Sequence, residues 1–177
     1  MFGPRLAILG SSRCPEDSKL WRVASELGCR AAGRGMLLVT GGTGGAASAA
    51  GRAAKQAGGL VVGILPAEAA ASEEAFLDVL ALTIPVQTGL VPKARNVVLI
   101  SSCDAAVAVG GAYGTLNEMT IAIAHRVPLV VIEGYGGAAD LIRVIIKELG
   151  NADTVAFART PSEALDRVEE LLRQRAG

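Results

Sequence analysis

Short apolar runs alternate with segments of helical periodicity along this chain. After the first run, Leu20, Val23, Leu27 and Ala31 recur at the i, i+3, i+4 spacing of an amphipathic helix. The runs predict β-strands at residues 6–9, 36–39, 60–65, 82–85, 105–109, 128–132 and 154–158. The segments between or after them predict helices at residues 20–31, 46–57, 92–103, 116–123, 138–149 and 160–172.

Apolar strands that are separated by helices indicate a parallel sheet with helices on both faces. We therefore predict the α/β class, with a single doubly wound, Rossmann-like parallel sheet. The length of 177 residues suits one domain, and no repeat or low-complexity linker divides it, so residues 1–177 are expected to form one Rossmann-like domain. The alanine-rich connection at residues 67–80 predicts a partly helical excursion.

Two segments fit the S/T-x-x-E capping box, in which a hydroxyl caps the helix and the acidic residue reaches back. They are Thr115-Leu-Asn-Glu118 and Thr160-Pro-Ser-Glu163. Pro161 would occupy the first helical position of the second helix. For the first segment, capping and ligand binding are compatible, because Thr115 can cap while the loop before it binds.

Three loops of unusual composition leave the carboxyl ends of predicted strands, at residues 10–12, 40–45 and 110–115. Such loops converge on one crevice near the point where the strand order switches. Glycines there expose backbone N–H groups, and a helix that follows adds the positive end of its dipole, so a phosphate can be held. The predicted ligand-binding residues are Gly10, Ser11, Ser12, Gly41, Gly42, Thr43, Gly44, Gly45, Gly110, Gly111, Ala112, Tyr113, Gly114 and Thr115.

The positions of these loops disfavour two common nucleotide motifs. The loop at residues 40–45 follows the second strand instead of the first, and no acidic residue ends the third strand to hold a ribose, so NAD binding is not expected. Neither glycine-rich turn contains GKS or GKT, which excludes a P-loop.

A cation and a carboxylate are expected beside this phosphate cradle. The helix at residues 92–103 must run from the carboxyl edge of the sheet to the opposite edge, so its first turn, with Lys93 and Arg95, faces the crevice. Glu118 is expected on the first turn of the next helix, which begins at the same edge. The alternative is that Arg95 is only a surface cation or an ion-pair partner of Glu118.

Composition excludes several other classes. Seventeen basic and seventeen acidic residues cancel and aromatic residues are scarce, so nucleic acid and anionic membranes are not expected partners. The three cysteines form no CxxC pair and the one histidine, His125, lies in a helical pattern, so no metal site is predicted. Without a signal peptide or a long uncharged apolar segment, we expect a cytoplasmic protein.

The central loop and the upstream arginine resemble the LOG family of cytokinin-activating phosphoribohydrolases, often labelled lysine-decarboxylase-like. The signature of that family is PGGxGTxxE, and residues 110–118 match it from Tyr113 onward, with Arg95 at the spacing of the family's catalytic arginine. The likeness covers roughly residues 5–132 and includes the segments 10–12, 40–45 and 63–66.

The chain departs from this signature at two places. The family's Pro-Gly-Gly is Gly110-Gly111-Ala112 here, and its Arg-Lys pair is Arg95-Asn96. In these features the chain looks closer to a small bacterial branch that includes the molybdenum cofactor carrier proteins, which bind a pterin carrying a phosphate.

Two functions follow from the resemblance. The first is a phosphoribohydrolase that cleaves the N-glycosidic bond of a nucleoside 5′-monophosphate into free base and ribose 5-phosphate. Its catalytic residues would be Glu118, which binds ribose hydroxyls and stabilises an oxocarbenium-like transition state, and Arg95, which orients Glu118 or assists the departing base. The alternative is a carrier without catalysis that holds a pterin phosphate in the same loops.

The resemblance also implies a homodimer or a multiple of it. The label of lysine decarboxylase is not expected to describe the chemistry, because nothing in the sequence indicates a pyridoxal phosphate site, and no cofactor is predicted.

Overall fold

The apolar runs form the strands of one parallel sheet. The computed structural model describes residues 3–67, 78–150 and 153–176, so most of the predicted excursion at 67–80 lies outside the described residues. The strands are β1 (Arg5–Gly10), β2 (Leu37–Thr40), β3 (Val61–Leu65), β4 (Ile84–Gln87), β5 (Ala105–Val109), β6 (Leu129–Ile132) and β7 (Val155–Ala158).

The helices of the described residues follow the predicted segments closely. They are α1 (Lys19–Gly33), α2 (Ala46–Gln56), α3 (Pro92–Ser101), α4 (Tyr113–Ala124), α5 (Gly137–Leu149) and α6 (Pro161–Ala176), with a short 3-10 helix at Val79–Ala81. Among them, none combines the length and the apolar character that crossing a membrane requires.

The sheet has the strand order β4-β3-β2-β1-β5-β6-β7, and every neighbouring pair is parallel. The order switches between β1 and β5, where Gly10 pairs with Val109. The predicted α/β, doubly wound class is therefore confirmed. This register brings the loop after β1 directly beside the loop after β5.

Both faces of the sheet are covered by apolar packing. Alternate residues of β1 enter different cores, with Leu6 and Ile8 in one and Ala7 and Leu9 in the other. The first core includes residues of α1, α2 and α6, whereas the second includes residues of α3, α4 and α5. Continuous apolar runs are typical of such strands, because no side of them faces water.

The fourth strand lies two residues later than predicted. The apolar run at residues 82–85 begins with Leu82, which is buried and packs against the positions of Gly42 and Gly63 instead of pairing in the sheet. Strand β4 is an edge strand whose residues are all exposed, so its sequence carries no buried pattern to mark its bounds.

One predicted cap is wrong and the other is confirmed in part. Helix α4 begins three residues earlier than its capping box implies, with Ala112 at the N-cap and no side-chain cap at that position. Thr115 instead donates its hydroxyl to the Gly10 carbonyl at 3.0 Å. At α6, the Glu163 N–H donates to the Thr160 hydroxyl at 3.2 Å, but the Glu163 carboxylate accepts from Arg159 N–H at 2.9 Å.

Helices α1 and α2 pack so closely that one crossing point has no room for a side chain. A Cβ on Gly28 of α1 would lie 2.1 Å from the Ala50 carbonyl oxygen of α2. We predict that Gly28→Ala lowers the free energy of unfolding by about 2 kcal/mol, because the backbones must separate. Urea unfolding measures this loss. Gly33→Ala is the control, since a Cβ there meets nothing within 4 Å, and an equal effect of both substitutions would contradict the account.

Candidate functional site

A cavity of about 360 Å³ lies at the carboxyl edge of the sheet, where β1 and β5 end. This volume is at the lower end of the range for small-molecule sites. The cavity is lined by Gly10, Ser11, Ser12, Arg13, Thr43, Pro92, Lys93, Arg95, Asn96, Ala112, Gly114, Thr115 and Glu118.

All three predicted loops contribute to this lining, but unequally. The loop after β1 contributes every predicted residue, the loop after β5 contributes three, and the loop after β2 contributes only Thr43. The predicted residues outside the lining are Gly41, Gly42, Gly44, Gly45, Gly110, Gly111 and Tyr113. Whether any of the predicted residues contacts a ligand stays a prediction.

Hydrogen bonds join the three loops around Gly10 and Ser11. The N–H of Ala46, at the start of α2, donates to the Ser11 carbonyl at 2.9 Å, which fixes the second loop against the first. The Thr115 hydroxyl donates to the Gly10 carbonyl and fixes the third loop in the same way. The third loop is fastened from its other side by Ala138 and Ala139 of α5, whose N–H groups donate to Gly111 and Gly110.

The first turn of α4 offers backbone donors to the cavity. No side chain caps this helix, and its hydrogen bonding to the preceding backbone begins with Leu116 N–H and the Ala112 carbonyl at 2.9 Å. The N–H groups of residues 113–115 come before that bond and so have no partner within the helix. Ala112 and Gly114 line the cavity. An uncapped helix N-terminus with its dipole is suited to an anion.

Arg95 places a buried cation against the same cavity. Its side chain extends from the first turn of α3, yet only 6% of the residue is exposed. Within the described part of the chain, neither Nε nor Nη1 has a hydrogen-bond partner. Burial lowers the pKa of Arg95, and nearby Glu118 opposes this shift. Because arginine stays protonated in proteins, the result is a desolvated positive charge without a bound counter-charge.

Gly41 makes room for that guanidinium. A Cβ at this position would lie 2.5 Å from Arg95 Nη1. The bare backbone of Gly41 thus has a structural role in accommodating Arg95, and its predicted contact with a ligand stays a prediction. If Arg95 projected into solvent, a side chain at position 41 would not clash with it.

Glu118 is on the second turn of α4, not the first as predicted, because the helix begins at Tyr113. Glu118 is half-buried and lines the cavity. Burial raises the pKa of Glu118 to about 7, although Arg95 and then Lys93 lower it. Both residues are described by the structure, and no nitrogen of Arg95 lies within 4.0 Å of the Glu118 carboxylate. The two side chains therefore do not form the ion pair that the sequence offered as an alternative.

Sequence reasoning omitted Arg13, Pro92 and Asn96 from the predicted site. Arg13 follows Ser11 and Ser12 directly, so extending the first loop by one residue would have found it. Asn96 occupies the position of a lysine in the LOG pattern, and no sequence motif assigns a role to a neutral amide there. Its surroundings show that role only in three dimensions.

Together the fold and the cavity define a Rossmann-like protein with a crevice at the switch point of its sheet, lined by Arg13, Lys93, Arg95 and Glu118. The model of the SLOG cluster4 family matches residues 4–165, and the chain belongs to that family. A protein of Archaeoglobus fulgidus is 37% identical over 136 residues, which cover 73% of this chain and 84% of that protein.

Solved structures extend this comparison to nearly the whole chain. The crystal structure of TM1055 has a TM-score of 0.82 and 32% identity, covering 95% of this chain and 99% of that one. The molybdenum cofactor binding protein of Rippkaea orientalis has a TM-score of 0.78 and 26% identity, with 97% and 99% covered. The molybdenum cofactor carrier protein of Chlamydomonas reinhardtii has a TM-score of 0.77 and 30% identity, with 96% and 98% covered. The resemblance to a LOG-like family close to the carriers is confirmed.

The raised pKa of Glu118 makes stability depend on pH in a defined direction. Between the ordinary value of 4.5 and about 7, the folded protein keeps a proton that the unfolded chain releases. Stability from this group is therefore complete below pH 4.5 and is lost as pH rises through 7, by up to about 3 kcal/mol.

We predict that Glu118→Gln becomes more stable relative to the wild type as pH rises from 5 to 8, because glutamine cannot ionise. Urea unfolding at several pH values measures the difference in free energy of unfolding between the two proteins. All other titrating groups are present in both, so their contributions cancel in this difference. A difference that stays constant over this range would show that Glu118 titrates as an ordinary exposed carboxyl group.

Proposed function

We propose that the cavity binds the phosphate group of a small phosphorylated molecule. The observation that carries this proposal is the buried, unpartnered guanidinium of Arg95 beside the uncapped start of α4. Arg13 and Lys93 add two further cations to the lining, against the single carboxylate of Glu118. A phosphate would supply the missing counter-charge and accept hydrogen bonds from the free amides.

The ligand is, in this proposal, a nucleoside 5′-monophosphate, and the reaction is hydrolysis of its N-glycosidic bond. Water adds to the anomeric carbon, the bond to the base breaks, and the base leaves with a proton, giving ribose 5-phosphate. Positive charge develops on the sugar as the base departs. A carboxylate beside the sugar stabilises that charge, and this is the role of Glu118.

Arg95 and Glu118 fit this chemistry because they share the cavity without neutralising one another. Glu118 is free to contact the ribose, while Arg95 holds the phosphate or assists the leaving base. The pKa of Glu118 near 7 means that the carboxylate form is populated at neutral pH. Turnover is then expected to increase as pH rises through this range, since the ionised form is the active one.

A molybdenum cofactor carrier is the second candidate. The observation that favours it is that the similar structures from Rippkaea orientalis and Chlamydomonas reinhardtii are described as a binding protein and a carrier protein of that cofactor. In this case the same loops hold the pterin phosphate, and Glu118 has no chemical step to perform.

Three further expectations stay predictions. They are a single domain, a homodimer and a cytoplasmic location. Exposed apolar residues on α3 and α5, namely Val97, Leu141 and Val144, suit the burial of a surface between two copies. The expectation that the protein is not a pyridoxal phosphate enzyme is also retained.

The hydrolase and the carrier are separated by incubating the purified protein with AMP and other nucleoside monophosphates and detecting free base by chromatography. We expect release by the wild type, loss of turnover in Glu118→Gln with nucleotide binding largely kept, and full activity in Glu148→Gln. The last variant makes the same chemical change on an exposed residue of α5.

Absence of base release from every nucleotide, by a folded protein, would contradict the hydrolase. Fluorescence of a co-purified pterin, or molybdenum in the purified protein, would then support the carrier. Failure of both nucleotides and pterin to bind would contradict the phosphate site itself.

A further inference from the structure

Asn96 follows Arg95 on α3 and points to the neighbouring helix α4. Only 3% of the residue is exposed, although it also lines the cavity. A buried amide needs partners for its two N–H donors and its oxygen, because an unsatisfied polar group in the interior is costly. The neighbours of Asn96 therefore define how its side chain is oriented.

The surroundings of Asn96 satisfy its amide in one orientation. We assign the amide from this hydrogen-bond network, with Nδ2 donating to Glu118 Oε1 at 3.2 Å and to the Pro92 carbonyl at 3.1 Å. The Asn96 oxygen then lies 2.8 Å from the side-chain amide of Asn117, which donates to it when the Asn117 nitrogen is assigned to that side. The reverse orientation would place the oxygen of Asn96 against two acceptors. Three fixed partners on two helices hold this side chain in place.

With this assignment, and within the described residues, Asn96 supplies the one hydrogen bond that reaches the Glu118 carboxylate. The charged groups that face Glu118 are more distant, with Lys93 and Arg95 on α3 and Arg13 on the loop after β1. A neutral donor differs from a cation at this point. It fixes one oxygen of the carboxylate but leaves the carboxylate able to accept a proton near neutral pH.

We propose that Asn96 is a positioning residue, which holds Glu118 Oε1 through a neutral hydrogen bond and leaves the other carboxylate oxygen to act on the ligand. This inference rests on the proposed function only in so far as Glu118 acts there. The held geometry itself is a property of the protein without ligand, so it is testable even if no nucleotide is hydrolysed.

The direct test is the titration of the Glu118 carboxyl carbon by NMR in the wild type and in Asn96→Ala. A hydrogen bond to the ionised form lowers a carboxyl pKa, so its removal is expected to raise the pKa of Glu118 by about one unit. A role limited to packing would leave this titration unchanged. An unchanged titration in the folded variant would overturn the proposal.

Asn117→Ala is the second variant and covers the case in which Asn96→Ala does not fold. Asn117 is half-buried, and its loss removes one of the three anchors of Asn96 while leaving the contact with Glu118. We expect a smaller rise of the Glu118 pKa in this variant. A Glu118 titration identical to that of the wild type would count against the proposed positioning.

If the protein releases base from nucleotides, steady-state kinetics add a functional readout. Asn96→Ala is expected to lower kcat about tenfold and to leave KM nearly unchanged, because it acts through the Glu118 carboxylate and does not itself hold the phosphate. A rise in KM with an unchanged kcat would overturn the positioning role. A protein that releases no base would contradict the hydrolase alone, since the NMR titration still decides the role of Asn96.

Discussion

The site depends on one unfavourable arrangement, the burial of the Arg95 guanidinium without a counter-charge. Removing a cation from water costs several kcal/mol unless a partner compensates. Glu118 is close enough to influence the pKa of Arg95 but does not pair with it. The guanidinium packs so close to Gly41 that a Cβ there would lie 2.5 Å from Nη1. Such a buried cation against a cavity is the basis of the anion site that we propose, and we take it as the central feature of the molecule.

The parallel sheet gives this arrangement its rigidity. The register of β1 and β5 brings two loops together, and the Thr115 hydroxyl ties them by donating to the Gly10 carbonyl. The loop after β2 is fastened by the Ala46 N–H, which donates to the Ser11 carbonyl. The cations come from elements that start at the same edge, namely the loop after β1 and the first turn of α3. The carboxylate is one turn further into α4, where burial raises its pKa. The proposed anion site and the titratable Glu118 are thus about one helical turn apart along α4.

Hydrophobic periodicity was sufficient for the strands and helices that bury a face, but not for details that depend on contacts between distant residues. Strand β4 is exposed on both sides, so the apolar run before it misled the prediction. Thr115 has the sequence of a cap but donates to Gly10, 105 positions earlier in the chain. The crevice, Arg95 and Glu118 were placed together from the topology alone, whereas Asn96 was overlooked because its three partners become neighbours only when α3 packs on α4.

The most direct measurement is the thermal stabilisation of the protein by inorganic phosphate, against chloride at equal ionic strength, in the wild type, Arg95→Met and Lys147→Met. A ligand that binds only the folded state raises its stability. We expect phosphate to raise the unfolding midpoint of the wild type and of the control Lys147→Met, which changes an exposed lysine of α5. The midpoint of Arg95→Met should not rise. This variant should remain folded, because it loses a buried charge that has no ion-pair partner among the described residues. An equal rise in all three proteins would contradict the assignment of Arg95 as the centre of the anion site.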